Sequence, residues 1–274
     1  MLKYRVITGV VGVPLVVFAI WFGNPWPWFT LLIAAAALAG AYEFYHMAGF
    51  DGREPFLYLG SLWALALVVS PQYPNSDILP AVTTAAILIS LIWLLFRPSR
   101  ENVFHKWAWM IAGALYVGWM LSYWLSLRAL ADGRDWVYLA ILTTFANDTG
   151  AFFIGRARGK HRMAPTISPA KTWEGAVGGL ISAIPAAVVI ATILRLISLK
   201  LGPPFAFEYW QIILLGFLVC LFAQLGDLVE SLLKRNMGVK EAGNLLPGHG
   251  GVLDRFDSLI FVGAVIYYYV MWVL

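Results

Sequence analysis

The chain has 274 residues, of which 61% are hydrophobic and 12% are charged, with a formal net charge of +4. So few charged side chains cannot cover a soluble protein of this length, and the composition therefore indicates a multi-pass membrane protein. The basic residues are scattered among apolar segments, which excludes nucleic acid as a partner and favours anionic lipids and anionic substrates. The single Cys220 excludes an intrachain disulfide framework.

Nine apolar runs are long enough, or nearly so, to cross about 30 Å of hydrocarbon as helices. In chain order they lie at residues 6–22, 27–47, 56–72, 79–96, 107–127, 136–155, 173–194, 209–233 and 255–274. These runs predict an all-α fold, a polytopic membrane bundle of about nine transmembrane helices. We divide it into residues 1–135, with about five spans, and residues 136–274, which carry the polar motifs.

Lysine and arginine are distributed unequally between the two sides of the predicted spans. With the N-terminus in the cytoplasm, fifteen of them lie on the cytoplasmic side and only Arg128, Arg134, Arg195 and Lys200 lie outside. Cytoplasmic loops of membrane proteins are enriched in basic residues, so this asymmetry predicts a cytoplasmic N-terminus. It also places the polar motifs on the cytoplasmic side, where nucleotides are available.

Two polar residues of the N-terminal region, Glu43 and His46, lie near the cytoplasmic end of the second run. A long polar side chain at such a position usually extends toward the membrane interface. Snorkelling or a packing hydrogen bond is therefore the expected role of both residues.

Asn147 and Asp148 lie inside the sixth run, shortly before Gly155 and Arg156. An ionised carboxylate at that depth needs a cation or a watery cavity, so Asp148 is a candidate functional residue. For Asn147 the sequence leaves two roles open, a functional contact and a hydrogen bond that packs helices together.

A basic loop is predicted from Arg156 to Arg162, and it leads into the block Ser168-Pro169-Ala170-Lys171-Thr172-Trp173-Glu174-Gly175. Hydroxyls and backbone amides at the start of a helix favour a bound anion, and Lys171 would complete a phosphate pocket. The alternative is a positive-inside loop followed by a helix cap. That alternative explains the arginines, but not the concentration of serine, lysine, threonine and glutamate.

The end of the eighth run carries a polar face. On a helix that advances 100° per residue, four polar side chains fall within an arc of about 100°: Asp227, Glu230, Ser231 and Lys234. Exposing this polar face to lipid would cost free energy, so we expect the face to point into the bundle. There two carboxylates can ligate a hard cation. A Glu230–Lys234 pair within the helix is the structural alternative, whereas Asp227 has no such local partner.

A glycine-rich turn is predicted before the last helix. Gly250 and Gly251 allow backbone amides to approach phosphate oxygens closely. Asp254 and Asp257 share a face of the first helical turn and could present two carboxylates to one metal ion. Helix capping explains one aspartate at such a position, but hardly two that flank Arg255.

These blocks closely resemble the signature of the phosphatidate cytidylyltransferases, the CDP-diacylglycerol synthases. The longest match begins at Ser231 and contains Lys234, Arg235, Lys240, Pro247, His249, Gly250, Gly251, Asp254, Arg255 and Asp257. The blocks at 147–156 and 168–175 look like two further family motifs, in the family's order. The resemblance covers about residues 140–274, and the first half matches in hydropathy alone. Glu241 stands where the family usually has Asp, and Ala170 where it often has a basic residue.

The resemblance implies transfer of CMP from CTP to phosphatidic acid, giving CDP-diacylglycerol and pyrophosphate in phospholipid biosynthesis. Since the lipid phosphate is the nucleophile, such chemistry depends on charge neutralisation and in-line positioning rather than on a protein nucleophile. The resemblance also implies a location in the cell (inner) membrane, an active site that faces the cytoplasm, and a homodimer.

On this interpretation the residues divide into three roles. Mg²⁺ is expected on Asp227, Asp254 and Asp257, with a second cation such as K⁺ left open. Phosphate groups are expected to contact Lys234, Arg235, Lys240 and Arg255, and His249 either orients a phosphate, acts as an acid or shapes a rigid turn. The expected contacts with the lipid phosphate or the nucleotide are Asn147, Asp148, Ser168, Lys171, Thr172, Glu174, Ser231, Gly250 and Gly251.

Two other functions compete with this one. A CTP-dependent polyprenol or phytol kinase would also need an acidic metal site and a basic phosphate pocket. A secondary transporter or channel would explain the intramembrane Asp148 and Asp227 as an ion path. It would not need the basic, glycine-rich and Asp-Arg-x-Asp elements on one side of the membrane, and the sequence has no clear inverted repeat.

Overall fold

The computed structural model describes residues 2–22, 25–74, 76–96, 103–201, 204–245, 248 and 250–274, with the backbone alone for residues 2–9. The α-helices are α1 Leu2–Trp21, α2 Trp28–Met47, α3 Pro55–Val69, α4 Ile78–Leu95, α5 Val103–Gly113, α6 Met120–Ala129, α7 Gly133–Arg158, α8 Trp173–Leu201, α9 Tyr209–Asn236 and α10 Leu253–Val273. A short 3₁₀ turn, Ser70–Gln72, extends α3. A π-helical segment, Ala114–Trp119, joins α5 and α6 into one continuous span.

Within the described residues, eight helical spans are long and apolar enough to cross a membrane, and α1 adds a shorter apolar stretch, Val10–Trp21. In hydrocarbon a segment must satisfy its backbone hydrogen bonds internally, so apolar runs of this length fold as helices. Each of the nine predicted runs coincides with one helical segment. The polytopic helical membrane fold predicted from the sequence is confirmed.

The predicted basic loop, Arg156 to Arg162, instead begins in the last residues of α7 and ends in the first strand of a small antiparallel hairpin. Strand β1, Arg162–Ala164, pairs with β2, Ser168–Thr172, through Arg162 opposite Thr172 and Ala164 opposite Ser168. Pro169 lies inside β2, and a two-stranded hairpin tolerates it because each strand has an unpaired edge. The backbone N–H of Trp173 then donates to the carbonyl of His161 at 2.9 Å, which ties the start of α8 to the start of the hairpin.

The helices on either side of the hairpin, α7 and α8, pack closely along a seam of glycines. A Cβ added at Gly175 would lie 3.0 Å from the carbonyl oxygen of Ala151, and one added at Gly178 would lie 2.5 Å from the Cβ of Ile154. Small residues let membrane helices approach until their backbones touch. The seam therefore fixes the two helix ends from which the hairpin projects.

The described residues form two compact units. The first contains the chain up to Ser126 together with Asn236–Arg255, and the second contains Leu127–Arg235 together with Phe256–Leu274. The division predicted between residues 135 and 136 rests on motif content, and it stays a prediction about function. By its contacts within the chain, the glycine-rich segment before α10 belongs to the same compact unit as the N-terminal helices.

In the first unit α2 lies against α3 and α5 around a buried tyrosine. The hydroxyl of Tyr45 donates to the carbonyl of Met110 at 2.8 Å, and its ring fills the space left by Gly60 and Gly113. A buried tyrosine hydroxyl needs such a partner, so this bond fixes the rotation of α2 about its axis. Glu43, two residues earlier, is thereby held in a defined direction.

Candidate active site

The predicted site residues come together in two groups, one in each unit. The second unit holds Asn147, Asp148, Ser168, Lys171, Thr172, Glu174, Asp227, Ser231, Lys234, Arg235 and Asp257. The first unit holds Lys240, Gly250, Gly251, Asp254 and Arg255. His249 lies outside the described residues.

In the second unit, an ion pair joins the hairpin to α9. The ammonium of Lys171, on β2, lies 2.7 Å from Oδ2 of Asp227, and the two side chains are 19% and 37% exposed. The hydroxyl of Ser231, one turn further along α9, donates to Oδ1 of Asp227 at 3.4 Å. The sequence gives Asp227 no obvious local partner, and the structure supplies one from another motif.

Two further carboxylates interact with Asp227. Asp148 on α7 and Asp257 on α10 both act on it electrostatically, and Asp257 also interacts with Asp148. The helices meet tightly here, since a Cβ added at Gly226 would lie 2.6 Å from the carbonyl oxygen of Asp257. Three neighbouring carboxylates repel one another, so the cluster of Asp148, Asp227 and Asp257 favours cations.

The pair between Glu230 and Lys234, left open by the sequence, is formed. Lys234 Nζ lies 2.5 Å from Glu230 Oε2, one turn away on α9. The lysine side chain is 13% exposed and the glutamate side chain is fully buried. A fully buried carboxylate requires a cation beside it. Lys234 also interacts electrostatically with Asp257, so it adds positive charge next to the acidic cluster.

Asn147 links three helices. Its Nδ2 donates to Oδ1 of Asp148 at 2.9 Å, and its Oδ1 accepts a hydrogen bond from Nε2 of Gln224 at 3.3 Å. The same Gln224 nitrogen donates to the carbonyl of Ala176 on α8 at 3.1 Å. Asn147 is 1% exposed, and these hydrogen bonds show the packing contact that the sequence offers as one of its two roles; the functional contact stays a prediction. Gln224 was missed by sequence reasoning, although an amide inside an apolar run is itself a signal.

The start of the hairpin is held by Glu174. Its carboxylate accepts the backbone N–H groups of Lys160 and His161 at 3.1 and 3.2 Å, and it lies 2.6 Å from Nδ1 of His161. Thr172 caps α8, because its Oγ1 accepts the N–H of Gly175 at 3.1 Å. Both residues, predicted as substrate contacts, thus bind the backbone around Lys171.

The turn of the hairpin is held from α9. The Nε of Arg235 donates to the carbonyl of Ile167 at 3.2 Å, just before Ser168. Arg235 remains exposed, as do Arg156, Arg158, Lys160 and Arg162 along the hairpin. This side of the second unit therefore presents a basic surface beside the acidic cluster, an arrangement suited to anions that carry a metal ion.

In the first unit, Asp254 folds the glycine-rich segment around itself. Its Oδ2 accepts the N–H groups of Ala242 at 3.0 Å and of Gly251 at 2.9 Å. Gly250 has a φ of 82°, and a Cβ there would lie 3.1 Å from the same oxygen. Only glycine adopts that backbone conformation readily, which explains its place in the turn. Lys240 and Arg255 are exposed on either side of the turn.

The predicted magnesium ligands suit a site in which the substrate provides some of the oxygen ligands. Across the part of the chain that the structure describes, no group of three His, Cys, Asp or Glu side chains is arranged to hold a metal ion. Mg²⁺ is commonly bound by one or two carboxylates, with substrate phosphates and waters filling its other positions. Asp227 and Asp257 provide such oxygen donors in the second unit, and the donor set fits a hard cation.

The chain matches the model of the cytidylyltransferase family over residues 3–273. It belongs to the cytidylyltransferase family. The resemblance seen in the motifs is thereby confirmed, and it extends through the N-terminal half, where the sequence alone offered only hydropathy.

Individual relatives agree with this assignment. The chain is 33% identical to a phosphatidate cytidylyltransferase of Bacillus subtilis over 97% of each protein. It is 37% identical to the enzyme of that name from Staphylococcus haemolyticus, and 36% identical to that from Staphylococcus saprophyticus, over 74% of each protein.

Proposed function

We propose that the chain is a phosphatidate cytidylyltransferase, which transfers CMP from CTP to phosphatidic acid and releases pyrophosphate. The observation that carries this proposal is the junction at Lys171 and Asp227, where a cation from one motif meets a cluster of carboxylates from two others. Family membership supplies the reaction class, and the names of the relatives supply the lipid substrate.

In the proposed reaction, an oxygen of the lipid phosphate attacks the α-phosphorus of CTP. The new bond is the P–O–P linkage of CDP-diacylglycerol, and the bond that breaks joins the α-phosphorus to the bridging oxygen, which leaves with its electron pair on pyrophosphate. Both reactants are anions, so the protein must reduce their repulsion and align them. No protein nucleophile is needed.

The basic residues would hold the phosphates. Lys171 and Lys234 lie beside the acidic cluster, and Arg235 lies at the hairpin turn. Lys240 and Arg255 flank the glycine-rich turn and would add positive charge there, since the turn's amides at Ala242 and Gly251 already donate to Asp254. His249 remains a proposed phosphate-orienting or acid residue.

Mg²⁺ would be held by Asp227 and Asp257, with Asp254 as the third ligand that the sequence predicts, and a second cation such as K⁺ stays open. When bound, it would neutralise charge on the nucleotide phosphates and on departing pyrophosphate. Asp254 accepts two backbone amides on Oδ2, and its part in holding a metal is the element of the proposal that the sequence alone supports.

The proposed location is the cell (inner) membrane, with a cytoplasmic N-terminus and a cytoplasmic active site. The support is the asymmetry of lysine and arginine, together with the exposed basic hairpin between α7 and α8. CTP would then reach the site from the cytoplasm, and phosphatidic acid from the surrounding lipid. The homodimer implied by the family resemblance is also a proposal.

The test is transfer of radiolabel from CTP by the purified, detergent-solubilised protein with phosphatidic acid and Mg²⁺. Label in the α-phosphate is expected in the lipid product, and label in the γ-phosphate is expected in pyrophosphate. Label that enters lipid from the γ-position alone would identify a kinase and overturn the proposal. Reactions without phosphatidic acid, and reactions with an Asp227→Asn variant, serve as controls and should leave the lipid unlabelled.

A further inference from the structure

Glu43 is a buried acid whose carboxylate is fully engaged by the glycine-rich turn. The side chain lies on α2 and is 2% exposed. Its Oε1 accepts the backbone N–H of Val252 at 3.0 Å, and its Oε2 accepts that of Leu253 at 2.8 Å. These two amides open α10. The contact is a packing hydrogen bond, one of the two roles expected from the sequence, and it is made to the backbone at the start of α10.

The surrounding backbone is shaped to this carboxylate. A Cβ added at Gly243 would lie 2.6 Å from Oε1 of Glu43, and one added at Gly251 would lie 2.6 Å from Oε2. Neither position can carry a side chain without moving the glutamate. One turn earlier on α2, Gly40 faces the side chain of Leu253, so the helix and the turn meet closely on both sides of Glu43.

A carboxylate is a costly choice for a buried position unless its hydrogen bonds are needed. At a helix start, unpaired amides and the helix dipole favour an anion, and a carboxylate can accept two amides at once. Asp254 interacts electrostatically with Glu43 and holds Ala242 and Gly251 in the same way. Two carboxylates thus fix one turn through four backbone amides.

We propose that Glu43 is a positioning residue of the active site. By holding the amides of Val252 and Leu253, it sets the direction in which α10 begins, and therefore the placement of Asp254 and Arg255. This inference rests on the proposed function and deepens it, since it gives α2 a part in a site whose motifs all lie after residue 140.

The test compares Glu43→Gln and Glu43→Asp with a matched control, Glu54→Gln. Glutamine keeps the length of the side chain, but its NH₂ group is a donor and would face a backbone N–H, which is also a donor. Aspartate keeps the charge but is one methylene shorter, which moves the carboxylate away from the amides. Glu54 is an acid of the same unit that pairs with Lys106 at 2.6 Å. Measurements are kcat and KM for CTP, thermal unfolding, and hydrogen exchange of the amides at 250–253.

For both Glu43 variants we expect kcat/KM to fall by about tenfold or more, because small misplacements of reacting groups have large effects on rate. Amide exchange at 250–253 should accelerate while exchange in α7 and α8 is unchanged. Glu54→Gln should keep wild-type kinetics. A Glu43→Gln protein with normal exchange and normal kinetics would overturn the proposal, as would a loss of thermal stability alone with unchanged kcat and KM.

Gly243→Ala alone covers the case in which Glu43→Gln folds poorly, and a double-variant cycle of the two tests their coupling where both fold. The added methyl group pushes on the same carboxylate, so the combined variant should lose little more activity than the worse single variant. Independent, multiplying losses would contradict the proposed contact. Failure of the wild-type protein to make CDP-diacylglycerol would refute the proposed function instead, and the exchange measurement would still report whether Glu43 holds the turn.

Discussion

Lys171 and Asp227 lie 2.7 Å apart, although one belongs to the hairpin before α8 and the other to the C-terminal half of α9. Their contact unites two motifs that the sequence presents separately. It also places a positive charge against the cluster of Asp148, Asp227 and Asp257.

Replacing Lys171 by Met should lower kcat/KM for CTP about 100-fold or more, since the site would lose a preorganised positive charge where anions react. Lys171→Arg should retain part of the activity. The matched control is Lys200→Met, which removes the same charge from an exposed side chain in the last turn of α8 and should leave turnover unchanged. Equal losses in Lys171→Met and Lys200→Met would indicate a general effect of surface charge.

Replacing Asp254 by Asn should separate its two roles. The asparagine oxygen can still accept the amides of Ala242 and Gly251, so the turn should stay folded, as judged by hydrogen exchange. Loss of the negative charge should lower turnover at limiting Mg²⁺ and raise the Mg²⁺ concentration needed for half-maximal rate. Near-normal turnover of folded Asp254→Asn at limiting Mg²⁺ would show that Asp254 is not a ligand.

Replacing Gly226 by Ala should force α9 and α10 apart beside the acidic cluster, because the new methyl carbon would lie 2.6 Å from the carbonyl of Asp257. Overpacking of this kind destabilises a protein by about 1–3 kcal/mol. We expect a lower thermal midpoint in detergent and reduced activity. Gly12→Ala on α1 is the control, since nothing lies within 4 Å of its added carbon. A stable, active Gly226→Ala protein would contradict the close approach.

The buried pair of Glu230 and Lys234 on α9 predicts that replacing both residues should destabilise the protein less than replacing Glu230 alone. Removing one partner of a buried ion pair costs about 3–5 kcal/mol because the remaining charge is left uncompensated, whereas replacing both is often near neutral. Glu230→Gln should therefore destabilise the protein more than the double variant Glu230→Gln with Lys234→Met. If Lys234 also holds phosphate, the double variant should recover stability but not activity. Recovery of both would restrict Lys234 to a structural role.

The sequence predicted the membrane fold well, because hydropathy alone constrains where a chain can cross a bilayer. It also selected Asp227, as a carboxylate in the membrane without a local cation, and Lys171, as the cation of the block at 168–175, and the structure pairs the two. It offered a helix cap as the alternative for the block at 168–175, and Thr172 provides one. It did not predict that Glu174 binds backbone amides, because a local hydrogen bond and a substrate contact require the same polar atoms. The strands around Pro169 were missed, since proline and basic residues normally indicate a loop.

Glu43 could be found in the sequence but its partner could not. Its contacts with Val252 and Leu253 span 209 and 210 residues, and no spacing rule reaches so far. Gln224 differs, because it lies three residues before Asp227 inside an apolar run. An isolated amide in such a run could have been read as a helix-packing residue from the sequence alone.

The distance along the chain between Glu43 and its amide partners bears on biosynthesis. The second helix leaves the ribosome and enters the bilayer long before residues 252 and 253 are synthesised. Until they arrive, the acid lacks the two hydrogen-bond donors that accommodate it in the finished molecule. The turn can therefore adopt its final shape only late in translation. A nascent chain halted before that point would contain most of the motifs, but the backbone at the start of its last helix would not be held by Glu43.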